Sequence, residues 1–403
     1  MGLKLNIDAI RPGMVLAADV LSRDGKVLFA SGAALEPWHV QILKTLGIAE
    51  VDVSEDQSGL PSPAEVLEYV RDFFLYVNPD HPAMQVIFEI AAERAGERTR
   101  RGWRLPDLAT RRATNVEHLE DVFGPGQFTP ETIVKHETEL SSFPDIYFRL
   151  KDLLESPSAS AKRIADLIAG DVGLSAKLLR LVNSPLYAPA QPVDTITRAV
   201  TLVGTNELAT LALGITAINY FKDIPPELID MQTFWRHSLT CAVLALLLAK
   251  RRGLPPERFF TAGLLHDVGR LILFKKLPYA STEAMIHARE NALPLMEAER
   301  ILLEFDHTDV SRVLMAEWKF PEQFRDSINH HHDPMDCAQP VDAAIVHLAD
   351  IMANAVGIAD GGMYAVPDLD PAAWELMEMR PTELQALMIE FDAQFEKTLK
   401  AFL

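Results

Sequence analysis

From Glu131 to the end of the chain, apolar residues recur at the three- and four-residue spacing of amphipathic helices. Proline or glycine interrupts the pattern at short intervals, at Pro144, Pro157, Gly170, Pro185, Pro189, Pro192, Pro225, Pro255, Pro278, Pro294, Pro321 and Pro334. Helices joined by short loops are the expected result, and the fold class is mainly α. Ile164, Leu167 and Ile168 share one helix face, as do Leu174, Leu178 and Leu181, so these stripes read as core. Asn183-Ser184-Pro185 ends that helix: Asn tolerates the left-handed conformation found at helix ends, and proline cannot continue the helix. The longest uncharged stretches, Leu208 to Phe221 and Ser238 to Ala249, fall short of the roughly 18 to 20 apolar residues of a membrane span, so they are expected to be core helices.

The first part of the chain is written differently. Leu16 to Val20, Val27 to Phe29 and Glu50 to Val53 read as short strands, and Asp24-Gly25 between the first two is a hairpin signal. Pro37 to Leu46 has helical spacing and is stopped by Gly47. Gln57 to Pro63 reads as a linker, and Ala64 to Val77 and Pro82 to Ala95 as helices. A chain of 403 residues has room for several domains at roughly 100 to 200 residues each. The expected division is a small α+β module at 1–56, a helical linker region with an Arg-rich stretch at 57–130, the main helical domain at 131–357, and C-terminal helices at 358–403.

A formal net charge of -19 repels phosphate backbones and argues against sequence-independent nucleic-acid binding. The exception is a basic run, Arg94, Arg98, Arg100, Arg101, Arg104, Arg111 and Arg112, with Trp103 among them; nearby Glu93, Glu97 and Asp107 make a solvated, ion-paired helix end its simplest reading. Cys241 and Cys337, one in an apolar run and one in a polar loop, read as free thiols in a reducing compartment. Met1 to Ile10 carries no export signal, so a cytoplasmic location without membrane insertion is expected.

Eight of the 12 histidines fall between His237 and His347. His237, His266-Asp267, His307, His330-His331-His332 and Asp350 lie on separate predicted helices, which is how helical bundles assemble metal sites. Neighbouring side chains on a helix point about 100° apart, so His266 and Asp267 can serve one centre only if it lies beside the helix between them. Imidazole and carboxylate donors suit Fe, Mn, Ni or Zn without choosing among them.

Three runs carry a family resemblance. Arg163-Ile164-Ala165-Asp166-Leu167-Ile168, the stretch from Asp171-Val172-Gly173-Leu174 to Leu181-Val182-Asn183-Ser184-Pro185, and Thr195-Ile196-Thr197-Arg198-Ala199-Val200 resemble the first half of an HDOD domain. With the histidine-rich half, the resemblance covers about residues 140–355. The residues before Val53 are similar to the small module that often precedes HD-GYP domains. The HD superfamily implies a first metal held by His237, His266, Asp267 and Asp350, with Asp267 bridging. Members with two metals imply His307, His331 and His332 as the further ligands. His330 is expected to face solvent, and His287 and His347 to lie on helix surfaces or to support the ligands.

Two functions follow from the resemblance. The resemblance to HDOD proteins implies a bacterial regulatory, signal-transduction module that has lost HD catalysis, with protein partners and self-association implied; many such relatives have incomplete ligand sets. The regulatory module is the first reading; this chain keeps all seven positions, which supports the alternative, a metal-dependent phosphohydrolase acting on a nucleotide or other phosphate ester through one or two divalent ions. It departs from the cyclic-dinucleotide phosphodiesterases, because His331-His332-Asp333-Pro334-Met335 lacks the Gly-Tyr-Pro signature, Arg270 stands where they have lysine, and Thr233 stands where an acidic residue would precede His237. Trp318-x-Phe320-Pro321 matches a packing step of the family. Trp374, Leu376, Met377, Leu384, Leu387, Met388, Phe391 and Phe395 form amphipathic C-terminal helices that cap the core or mediate self-association.

Overall fold

Among the described residues beyond residue 130, every regular element is a helix, as the periodicity requires. The structure is a computed structural model that describes residues 2–11, 13–22, 25–54, 61–101, 103–106, 119–124, 126–140, 145–156, 160–187, 189–221, 224, 228–318, 320, 322–358 and 365–402.

Among the described residues, the amino-terminal part forms four short strands, one turn of 3-10 helix (Ile7–Ala9) and one α-helix around a core of its own, with Leu5, Leu16, Leu35, Leu43 and Val53 buried. Strand β1 (Gly2–Asn6) pairs antiparallel with β4 (Glu50–Ser54), and β2 (Val20–Leu21) with β3 (Val27–Phe29); α1 (Pro37–Thr45) lies between β3 and β4. The strand expected over Leu16 to Val20 is shorter than its sequence pattern. Ser31 N–H donates to Asp19 Oδ1 and Ala17 N–H to the Asp52 carbonyl, bends that leave only isolated bridges at Val15 and Leu16. Of the hairpin turn, Gly25 has φ +77, while Arg23 and Asp24 lie outside the described residues. Most of the linker expected at Gln57 to Pro63 lies outside them too; Ser62 and Pro63 open the next helix through a capping box with Glu65.

The main core begins with α2 (Pro63–Arg71) and α3 (Pro82–Arg100) and continues through α4 (Pro130–Leu140), α5 (Asp145–Glu155), α6 (Ala161–Ala169), α7 (Val172–Val182), α8 (Ile196–Val203) and α9 (Thr205–Tyr220). At its centre α10 (Met231–Arg251) is buried on every face from His237 to Ala249, as a helix apolar all round must be. Around it lie α11 (Pro256–Leu265), α17 (Pro340–Gly357) and the C-terminal α19 (Glu383–Phe402). The remaining helices are α12 (Val268–Lys276), α13 (Pro278–Asn291), α14 (Leu295–Leu303), α15 (His307–Glu317), α16 (Glu322–Asn329) and α18 (Pro371–Met377).

One detail departs from the sequence reading, and two others settle alternatives it left open. Asn183 adopts a right-handed conformation, φ -84 and ψ -2, and ends α7 through its side chain instead: Nδ2 donates to the Leu179 and Val193 carbonyls, and Oδ1 accepts from Val193 N–H. The C-terminal helices cap the core, burying Leu384, Leu387, Phe391 and Phe395. Part of the basic run holds that cap: Arg94 pairs with Asp392 and lies over the Phe391 ring, while Arg101 pairs with Glu97; Arg111 and Arg112 lie outside the described residues. Among the described residues, no helix is long and apolar enough to cross a membrane.

Candidate metal centre

Each of the histidines and aspartates singled out above is delivered by a separate local device. Asp230 caps α10 by accepting from Gln232 and Thr233 N–H, and two turns later the helix presents His237. Next to it α11 crosses at backbone contact: a Cβ on Gly263 would sit 2.9 Å from Ala242 N and from the Cys241 carbonyl oxygen, so only glycine brings His266 this close to His237. The His266-Asp267 pair does not lie within one helix, as expected above. The chain breaks there, His266 ending α11 and Asp267 opening α12 with φ -97 and ψ 14, and the break turns both side chains to one centre. Asp306 caps α15 through a box with Asp309 and sets His307 at the first helical position. His331 and His332 lie just past the end of α16 rather than in its last turn, and Asp350 projects from the buried middle of α17.

The seven side chains form two groups sharing Asp267. In the first, His237 Nε2 and His266 Nε2 are each 3.2 Å from Asp350 Oδ1 and 3.4 Å from one another, and His266 Nε2 is 3.4 Å from Asp267 Oδ2. In the second, His307 Nε2 and His331 Nε2 are 3.5 and 3.7 Å from Asp267 Oδ1, and His307 Nε2 is 3.1 Å from His332 Nε2. One carboxylate oxygen therefore faces each group. Donors bound to one ion at about 2.0 to 2.2 Å stand roughly 3 to 3.5 Å apart, so the spacing within each group is that of a coordination sphere.

Hydrogen bonding makes the same point. His266 Nδ1 is 2.8 Å from the Gly263 carbonyl, His331 Nδ1 is 2.7 Å from that of Ile328, and His307 Nδ1 is 2.6 Å from Glu299 Oε2, which also accepts from His307 N–H. These bonds place the ring proton on Nδ1 and turn the lone pair of each Nε2 inward. Asp267 Oδ1 and His331 Nε2 are buried without a hydrogen-bond partner. Acceptors facing acceptors in a dry interior are costly unless a cation lies between them, so the donor set fits a metal. These His/Asp clusters can hold a metal ion.

Support comes from further out. His347 bonds the His331 carbonyl through Nδ1 and accepts Asp370 N–H at Nε2, tying the start of α18 to the ligand loop, so it supports the site as expected. His287 sits on α13 against Asn291 and belongs to neither group. Buried Glu137 of α4 receives Lys275 and Lys276 at 2.6 and 2.7 Å and pins the end of α12. Arg270 Nη1 donates to Asp267 Oδ2 at 2.6 Å. Glu299 was missed by sequence reasoning: it lies eight residues before His307 on another helix, and only the fold brings them together.

Burial alone would raise the Asp267 carboxyl, but Arg270 and His266 outweigh it and hold its pKa well below the usual range; His237 and His266 do the same for Asp350. Burial opposes a charge on His266, yet Asp267 raises its pKa well above the ordinary value, so a proton takes the place of a cation. Burial, then the charge of His266, pushes His331 down to about 3, and burial lowers His332 and His347. For the chelator-treated protein the sign follows. His331, His332 and His347 stay neutral in the fold but bind protons in the unfolded chain below about pH 6.5, so their contribution is full above that pH and drains away as pH falls. Raised His266 contributes fully below the same pH, so it adds no slope there. The midpoint of urea unfolding is expected to fall steadily from pH 6.5 to 4, and a flat profile over that window would contradict this electrostatic picture.

A family model for the HDOD domain matches residues 140–334. The chain carries an HDOD domain. A Geobacter sulfurreducens HDOD domain protein of unknown function has the same fold, with a TM-score of 0.52 and 26% identity over 68% of this chain and 97% of that one. A Shewanella amazonensis SB2B protein, provisionally named a phosphohydrolase, superposes with a TM-score of 0.53 at 24% identity over 67% of this chain and 98% of its own. An uncharacterized Treponema pallidum protein is 25% identical over 198 residues, 48% of this chain but only 38% of its own length. Six of the seven candidate residues fall inside the HDOD match, and Asp350 lies beyond it on α17.

Proposed function

We propose that this chain is a regulatory HDOD protein whose helical domain holds two divalent transition-metal ions and hydrolyses a phosphate ester with them. His237, His266 and Asp350 hold one ion, His307, His331 and His332 the other, and Asp267 spans both. The observation that carries the reading is Asp267, which turns one oxygen to each group and leaves Oδ1 buried without a partner. Two divalent ions held this way supply Lewis acidity toward a phosphoryl oxygen and make a nearby water more acidic. The Arg270 guanidinium, bonded to the bridging carboxylate and lining the adjoining cavity, is placed to orient a phosphoryl oxygen. The provisional name of the Shewanella relative is consistent with this chemistry.

One observation favours a second, non-catalytic reading. Arg270 already occupies Asp267 Oδ2 at 2.6 Å, and a fixed guanidinium there competes with an ion in the first group. Anaerobic loading with Mn(II) or Fe(II), followed by assay on p-nitrophenyl phosphate and bis(p-nitrophenyl) phosphate, separates the two. Turnover on at least one ester is expected to exceed that of Asp267→Asn by roughly 100-fold or more. Equal turnover by the loaded wild type and the variant would leave only the signalling module, working through protein partners.

A further inference from the structure

A cavity of about 480 Å³ opens beside the candidate metal centre. Its metal-facing wall is Arg270, His332 and Asn354, and Asn354 also donates to Asp350 Oδ1 at 2.9 Å. The other walls include Leu228, Ile229 and Met285. The loop between α2 and α3, which lies before the HDOD match, contributes Tyr76 to the cavity wall. That loop is fixed rather than free: Val366 N–H donates to the Phe73 carbonyl at 2.7 Å, and Asn78 N–H to Asp368 Oδ1 at 2.9 Å.

Tyr76 is half-buried, and none of the described residues offers its hydroxyl a hydrogen-bond partner. Burial is the main reason that its pKa is raised, and Arg270 and Asp350 are among the charges acting on it, so a protonated phenol stands in the field of the metal-facing wall. A donor without a partner, held on a pinned loop that lines the same cavity as Arg270, is placed to meet a ligand that fills the cavity.

We propose that Tyr76 is a substrate-contacting residue, its phenol donating to a phosphoryl oxygen of a phosphate ester whose apolar or aromatic group rests against Leu228, Ile229 and Met285. This assignment rests on the metal-dependent reading above. The test uses the full chain loaded with Mn(II), with metal content measured on each sample before calorimetric titration with phenylphosphonate and methylphosphonate, which cannot be hydrolysed. Tyr76→Phe keeps the ring and removes one donor. It is expected to keep its metal and to bind phenylphosphonate roughly tenfold more weakly than wild type. The wild type is expected to bind phenylphosphonate roughly tenfold more tightly than methylphosphonate, because the ring buries apolar surface. Affinities of Tyr76→Phe and wild type within twofold of each other, or loss of metal from the variant, overturn the role of Tyr76. Equal affinity for the two phosphonates overturns the ester class. A wild type that takes up no metal defeats the metal-dependent reading itself and this assignment with it, and the metal measurement identifies that case before any ligand is added.

Discussion

Gly269→Ala is expected to cost on the order of 3 kcal/mol or more of stability, and to weaken metal binding beyond what lost stability explains. Gly269 lies on α12 where it meets α15, and an added Cβ would stand 2.0 Å from the His307 carbonyl oxygen, 2.7 Å from Ser311 Oγ and 2.9 Å from Ser311 N. Two of those atoms are backbone, so no rotamer change relieves the clash, and the helices must move apart. The move breaks the bond from Gly269 N–H to Ser311 Oγ, now 3.0 Å, and carries His307 away from Asp267. Gly96 on α3 makes the contrast. A Cβ there meets nothing within 4 Å, so Gly96→Ala is expected to be neutral or stabilising by up to about 1 kcal/mol. Thermal melts of the two variants beside wild type test the pair; equal melting temperatures would show that the α12–α15 approach is looser than described.

Removing single ligands should separate the two groups. His331→Ala takes a donor from the group facing Asp267 Oδ1 and leaves His237, His266 and Asp350 in place, so one ion per chain is expected where the wild type holds two. Asp267→Ala removes the side chain common to both groups and is expected to hold neither. It also leaves Arg270 without its buried carboxylate, so some destabilisation accompanies the loss. Elemental analysis against protein concentration reads the difference. Retention of two ions by His331→Ala would place the second ion elsewhere.

What the sequence made legible, and what it did not, follows from how far each cause reaches along the chain. Helix stripes such as Ile164, Leu167 and Ile168 are set by local spacing, and the structure buries Ile164 and Ile168 while Leu167 packs at the edge of the core. The histidines and aspartates were legible because their residue types are costly in a helical core without a purpose. The break between His266 and Asp267 was not, since no glycine or proline marks it and the packing of α11 and α12 sets it. Asn183 was assigned to the right place for the wrong reason: its clamp on Val193 joins residues ten apart, beyond the reach of helix-end rules. Glu299 and Tyr76 carried no signal, because an orienting carboxylate and a cavity wall are defined by the partner they face.

The central claim is a pair of ions sharing Asp267. It is tested most directly by loading the wild-type chain with Mn(II) under anaerobic conditions, removing excess metal, and recording metal per chain together with the electron paramagnetic resonance spectrum. Two Mn(II) per chain with a spin-coupled spectrum that disappears in Asp267→Ala is the result predicted. No bound metal, or a single uncoupled ion unaffected by Asp267→Ala, would contradict it.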